Sequence, residues 1–77
     1  MDKFEKEIEE NGISKNVMIE YEALRKLDVV TNMFNYYRVI DCANMLDFYD
    51  LAEVTEDEYL FILSNFGKLM KYYEIEQ

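Results

Sequence analysis

Cys42 is the only thiol in the chain and histidine is absent, so the residues able to do nucleophilic or general-base chemistry reduce to one cysteine and a large set of carboxylates. A cysteine nucleophile wants a cationic neighbour or a base. Cys42 falls instead on the apolar stripe of an expected helix, beside Ala43, where a thiol behaves as a small hydrophobe. No acid pair is set in an apolar stretch that would separate two carboxylate pKa values for acid–base work. Asp47-Phe48-Tyr49-Asp50 lacks the ligand order and glycine of a calcium loop, and no glycine-rich phosphate loop is present. Zinc sites built on histidine or paired cysteines cannot be assembled. The expectation is a chain that is not an enzyme, with no catalytic residue, no cofactor and no metal.

The carboxylates are informative by where they lie. The chain carries 17 acids against 8 bases, a formal charge of −9. Between Arg38 and Lys68 there is no Lys or Arg, while Asp41, Asp47, Asp50, Glu53, Glu56, Asp57 and Glu58 all fall in that interval. Seven like charges in one span make a coherent negative field that steers association with a basic surface. Tyr49 and Tyr59 are interleaved with them, and tyrosine beside polar groups suits a protein interface. Asp41, Asp47, Tyr49, Asp50, Glu53, Glu56, Asp57, Glu58 and Tyr59 are therefore the expected partner-binding residues. Excess negative charge opposes direct binding to nucleic acid and to anionic membranes. Met1–Glu7 lacks the apolar core of a signal peptide and no apolar run approaches a bilayer span, so a cytoplasmic location is expected.

The elements that must position these residues read as helices. Proline is absent and glycine occurs only at 12 and 67. Phe4 and Ile8 predict a short acidic helix over 1–12 that stops near Asn11-Gly12. Ser14 or Asn16 caps a second helix carrying Val17, Tyr21 and Leu24 and running to about Val30. Asn35 is the expected cap of a third, with Phe34 stapled to Val39 and Thr31-Asn32-Met33-Phe34 forming the corner before it. A short fourth helix holds Phe48, Leu51 and Ala52. Thr55-Glu56-Asp57-Glu58 is a capping box that opens a last helix, whose stripe of Tyr59, Ile62, Phe66, Met70 and Tyr73 persists to the C-terminus. The fold class is all-α, a single domain over 1–77 made as a small bundle of four to five short helices, with the core helices over 16–73.

Seven Tyr, five Phe and five Met are a heavy apolar load for 77 residues. Chains this short bury a small share of their surface, and association is one remedy. The last stripe is longer than so small a domain needs, so Tyr59, Ile62, Phe66, Met70 and Tyr73 are the expected self-association face of a homodimer.

Thr31-Asn32-Met33-Phe34, Val39, Ala43, Phe48-Tyr49 with Leu51, Glu58-Tyr59 and Phe61-Ile62-Leu63 together resemble a small family of uncharacterised proteins carried by bacteriophages and prophages of Gram-positive hosts. The resemblance spans about Tyr21 to Leu63. It departs at Asn35, where the family has an acid, and at Asp47, where the family has a glycine. It brings no catalytic residues to this chain. It gives a phage context and no mechanism. A small acidic phage protein without catalytic equipment is expected to bind and inhibit a host protein whose surface is basic because it handles nucleic acid, such as a defence nuclease, in an anti-CRISPR-like manner; a self-assembling helical homodimer is the alternative.

Overall fold

A computed structural model of the chain describes residues 2–27 and 34–76. Six helices occur among them: α1 Lys3–Asn11, α2 Lys15–Lys26, α3 Tyr36–Met45, α4 Tyr49–Ala52, α5 Glu56–Ser64 and α6 Phe66–Tyr72. No strand occurs among the described residues. The all-α expectation holds, with six helices among the described residues where four to five were expected.

Most helix starts follow from a side-chain oxygen that takes up an otherwise unpaired backbone N–H. Asp2 accepts from the Glu5 N–H at 2.8 Å, Ser14 from Val17 at 3.1 Å, and Asn35 from Arg38 at 3.2 Å. The capping box forms as expected, with Thr55 accepting from Glu58 N–H and the Glu58 carboxylate accepting from Thr55 N–H at 2.7 Å. α4 has no cap of its own. Glu20, on α2, reaches across and accepts the Leu51 N–H at 2.7 Å. A helix of one turn is thus held at its start by another element.

Three helix ends share one construction. Gly12, Asp47 and Glu74 adopt left-handed backbone, at φ 66°, 60° and 57°. After each, an apolar residue closes back onto the helix: Ile13 N–H to Ile8 C=O, Phe48 to Ala43, and Ile75 to Met70. The accompanying shorter bonds, Gly12 to Glu9, Asp47 to Asn44 and Glu74 to Lys71, complete the Schellman pattern. Asp47 thus reaches a helix end that glycine most often makes, because a short polar side chain tolerates this region.

Three expectations for the helices are corrected. Phe34 is 82% exposed while Val39 is fully buried, so Phe34 does not plug the corner into the core and the Phe34–Val39 staple is not the device that sets α3. α2 ends at Lys26 with Leu27 already extended, short of the expected end near Val30, and the rest of that corner, Thr31 to Met33, lies outside the described residues. The final helix is also not continuous. Asn65 sits at φ −129° between α5 and α6, and its side-chain amide donates to the Phe61 carbonyl at 3.0 Å. The Asn65 backbone N–H still reaches the Phe61 and Ile62 carbonyls, so the chain turns through the non-helical φ of this one residue.

The core lies between these segments. Ile8, Met18, Tyr21, Leu24, Val39, Leu51, Ile62, Leu69 and Met70 belong to one buried cluster, with Cys42 half-buried against it. Two tyrosine hydroxyls tie distant turns together: Tyr36 donates to Val54 C=O and Tyr73 to Ile13 C=O, each at 2.6 Å. Glu22 is the one buried charged side chain among the described residues, and Arg25 and Lys26, at 3.0 and 3.9 Å, satisfy it.

Candidate protein-binding surface

The acidic interval is delivered by the end of α3, by α4 and by the first turn of α5. Left-handed Asp47 breaks α3, which leaves its carboxylate outside and able to accept the Tyr49 hydroxyl at 3.1 Å. That bond, with the negative charge behind it, holds the Tyr49 phenol above its ordinary pKa. Tyr49 is 66% exposed, and its ring is therefore presented beside a fixed carboxylate.

Asp50 and Glu53 project from α4 and its C-terminal edge, and Glu58 from the first turn of α5. With Gly12, Ser14, Val17 and Val54 they line an open cleft of about 310 Å³. Asp50 is anchored by a short hydrogen bond from the Asn16 side-chain amide. Glu58 is anchored by its own cap, and its second oxygen would lie 3.3 Å from a Cβ added at Gly12. Left-handed φ and this close approach both call for glycine at 12. Glu56 and Asp57 are exposed on the same first turn of α5, where the positive end of the helix dipole favours them.

The nine expected partner-binding residues therefore divide. Asp50, Glu53 and Glu58 are brought together at the cleft; Asp47 and Tyr49 are joined; Glu56 and Asp57 stand exposed on α5; Asp41 is exposed on α3. Tyr59 is the exception. It is 2% exposed and packs in the core against Tyr36, with ring centroids 5.4 Å apart, so it cannot anchor a partner. Its place in the capping-box helix points it inward, because Thr55 fixes the start and the apolar stripe must face the other helices.

The expected self-association face is corrected for the same reason. Tyr59, Ile62 and Met70 are buried within the chain. Phe66 is half-buried against Tyr21 at 5.6 Å with the Arg25 guanidinium 4.9 Å from its ring centroid, and Tyr73 is the donor to Ile13. The break at Asn65 folds a stripe that looked too long for one core into two short ones that both serve it.

Among the described residues the only ion pairs are those of Glu22 with Arg25 and Lys26. The acids from Asp41 to Asp57 are thus exposed and Glu58 half-buried, with no cation of the chain within 4.0 Å of them among the described residues. No group of three or more His, Cys, Asp or Glu side chains is disposed to hold a metal ion, and no helix is long and apolar enough to cross a membrane, among the described residues.

Sequence reasoning missed two kinds of residue here. Gly12, Ser14 and Val17 complete the cleft from far away in the chain, which no local pattern shows. Tyr37 and Met45, 71% and 80% exposed, were passed over as well, and the signal that marks them is their spacing of four through Asp41, offset from the Val39–Ala43 stripe. Comparison with known proteins adds no further name to the surface: no protein-family model matches the chain, nor does any curated protein or solved structure.

Proposed function

We propose that the chain is a small phage-encoded protein of the host cytoplasm that binds and inhibits a host protein whose surface is basic because it handles nucleic acid, such as a defence nuclease. The observation that carries this reading is the run of carboxylates from Asp41 to Glu58, exposed except for half-buried Glu58, with no lysine or arginine within 4.0 Å of them among the described residues. Charges already paired within a protein add little to recognition, whereas unpaired ones of a single sign steer a cationic partner and reject an anionic one. The phage assignment rests on the resemblance of the segment from Tyr21 to Leu63. The mechanism is occlusion: the carboxylates of α4 and the α5 first turn lie against a cationic groove, and Tyr49 supplies an apolar contact beside them.

Amide replacement tests this cleanly. Gln at 58 can still accept from Thr55, Asn at 50 can still pair with Asn16, and Asn at 47 still tolerates left-handed backbone. A combined Asp47→Asn, Asp50→Asn, Glu53→Gln, Glu56→Gln, Asp57→Asn, Glu58→Gln variant should keep its circular dichroism. A tagged wild-type chain should capture its partner from host extract at low salt and release it as salt rises, and the variant should fail to capture it. Capture that is indifferent to both salt and the amide series would remove the reading.

A further inference from the structure

α3 buries Val39 and Ala43 completely, and the residues on its opposite side are exposed, with the Tyr37 ring edge-on to Tyr36 at 5.3 Å. Tyr37, Asp41 and Met45 recur every four residues along that side, so they form one line on the helix surface. Tyr37 and Met45 are among the most exposed large apolar side chains described, and Asp41 stands between them. Beyond the left-handed turn, exposed Tyr49 follows with its hydroxyl held by Asp47. A flexible thioether and rigid tyrosines adapt well to a packed contact, and an isolated protein has little reason to display them in a row.

Charge decides the occupant. Asp41 interrupts the apolar line and Asp47 stands just past its end, with Arg38 at its edge as the one base of α3. A two-fold contact between copies would bring like patches together and oppose chains of net charge −9. An anionic lipid surface meets the same repulsion. A cationic segment with one apolar face fits both features of the line. We propose that the Tyr37–Asp41–Met45 ridge of α3, continued by Tyr49, docks a cationic amphipathic helix of the partner protein. This rests on the reading of the acidic surface as a binding site for a basic protein, and it moves the apolar anchors from buried Tyr59 to α3. The ten residues of α3 extend about 15 Å, so they match a partner helix of roughly three turns.

The probe is a synthetic helix of Leu and Lys, about fourteen residues long, with the leucines on one face. Its control has the same composition in scrambled order, hence the same charge without the apolar face. The ordered peptide should bind about tenfold more tightly than the scrambled one, and should shift the backbone amide resonances from Tyr37 to Tyr49. A Tyr37→Ser, Met45→Gln variant changes only exposed side chains; it should lose that preference and keep its affinity for the scrambled peptide. Equal binding of the two peptides, with the variant silent, overturns the ridge and leaves the acidic-surface reading standing. Failure of both peptides to bind overturns both. A dimer in sedimentation that Met45→Gln dissociates assigns the ridge to a second copy, and peptide-independent binding to phosphatidylglycerol vesicles through the same residues assigns it to a membrane; either result overturns the proposal.

Discussion

Asp47 is the residue at which fold and surface meet. Its left-handed backbone closes α3, and its carboxylate is one of the exposed charges. An L-residue in that region carries a steric penalty that glycine lacks, on the order of 1 kcal/mol, which Asp partly avoids. Asp47→Gly should therefore stabilise the chain by about 0.5 kcal/mol, which raises the thermal midpoint by about 2–4 °C for a domain of this size. Asp47→Ala should move it the other way, since Ala keeps the Cβ and loses the polar side chain. Both variants remove the acceptor of the Tyr49 hydroxyl, but that bond is exposed and contributes little. A thermal melt of the three proteins, monitored at the helical signal, orders them; Ala above Gly would contradict the Schellman account of this turn.

At the scale of the element, the chain was most legible where one residue acts on its own neighbours. Asn35, Thr55 with Glu58, and Asn11-Gly12 announce two starts and a stop because capping spans only a few residues. The break at Asn65 was not legible. Residues 59, 62, 66, 69, 70 and 73 keep helical spacing straight through it, and only the backbone of Asn65, at φ −129°, separates α5 from α6. α4 illustrates the same limit from the other side. Phe48, Leu51 and Ala52 suggested a helix, but its anchor is Glu20, 31 residues away. Removing that carboxylate leaves the Leu51 N–H without its partner in a fully buried residue. Glu20→Ala should cost about 1–3 kcal/mol, whereas Glu20→Gln, which retains an acceptor, should cost less than half of that. Amide exchange at Leu51 should quicken in the Ala variant before the rest of the chain does. An unchanged exchange rate there would show that α4 stands without its borrowed cap.

For the whole molecule the governing quantity is charge. A small domain with net charge −9 confines like charges when it folds, and the unfolded chain lets them separate. Attractive pairs that salt could weaken are few: among the described residues only Glu22 with Arg25 and Lys26, of which Glu22 is buried and so less open to screening. Screening should thus relieve repulsion more than it removes attraction. The thermal midpoint is expected to rise by several degrees as sodium chloride goes from about 10 mM to about 500 mM, over which the screening length falls from about 30 Å to a few ångströms. The six-site amide variant of α4 and α5, with its acids neutralised, should melt higher than the wild type at low salt and respond less to added salt. The same carboxylates that weaken the isolated fold are those proposed to hold a basic partner, so the two measurements share a cause. If the wild-type midpoint instead fell with salt, attraction would dominate within the folded chain, and the carboxylates from Asp41 to Glu58 could no longer be treated as unneutralised charge available to another protein.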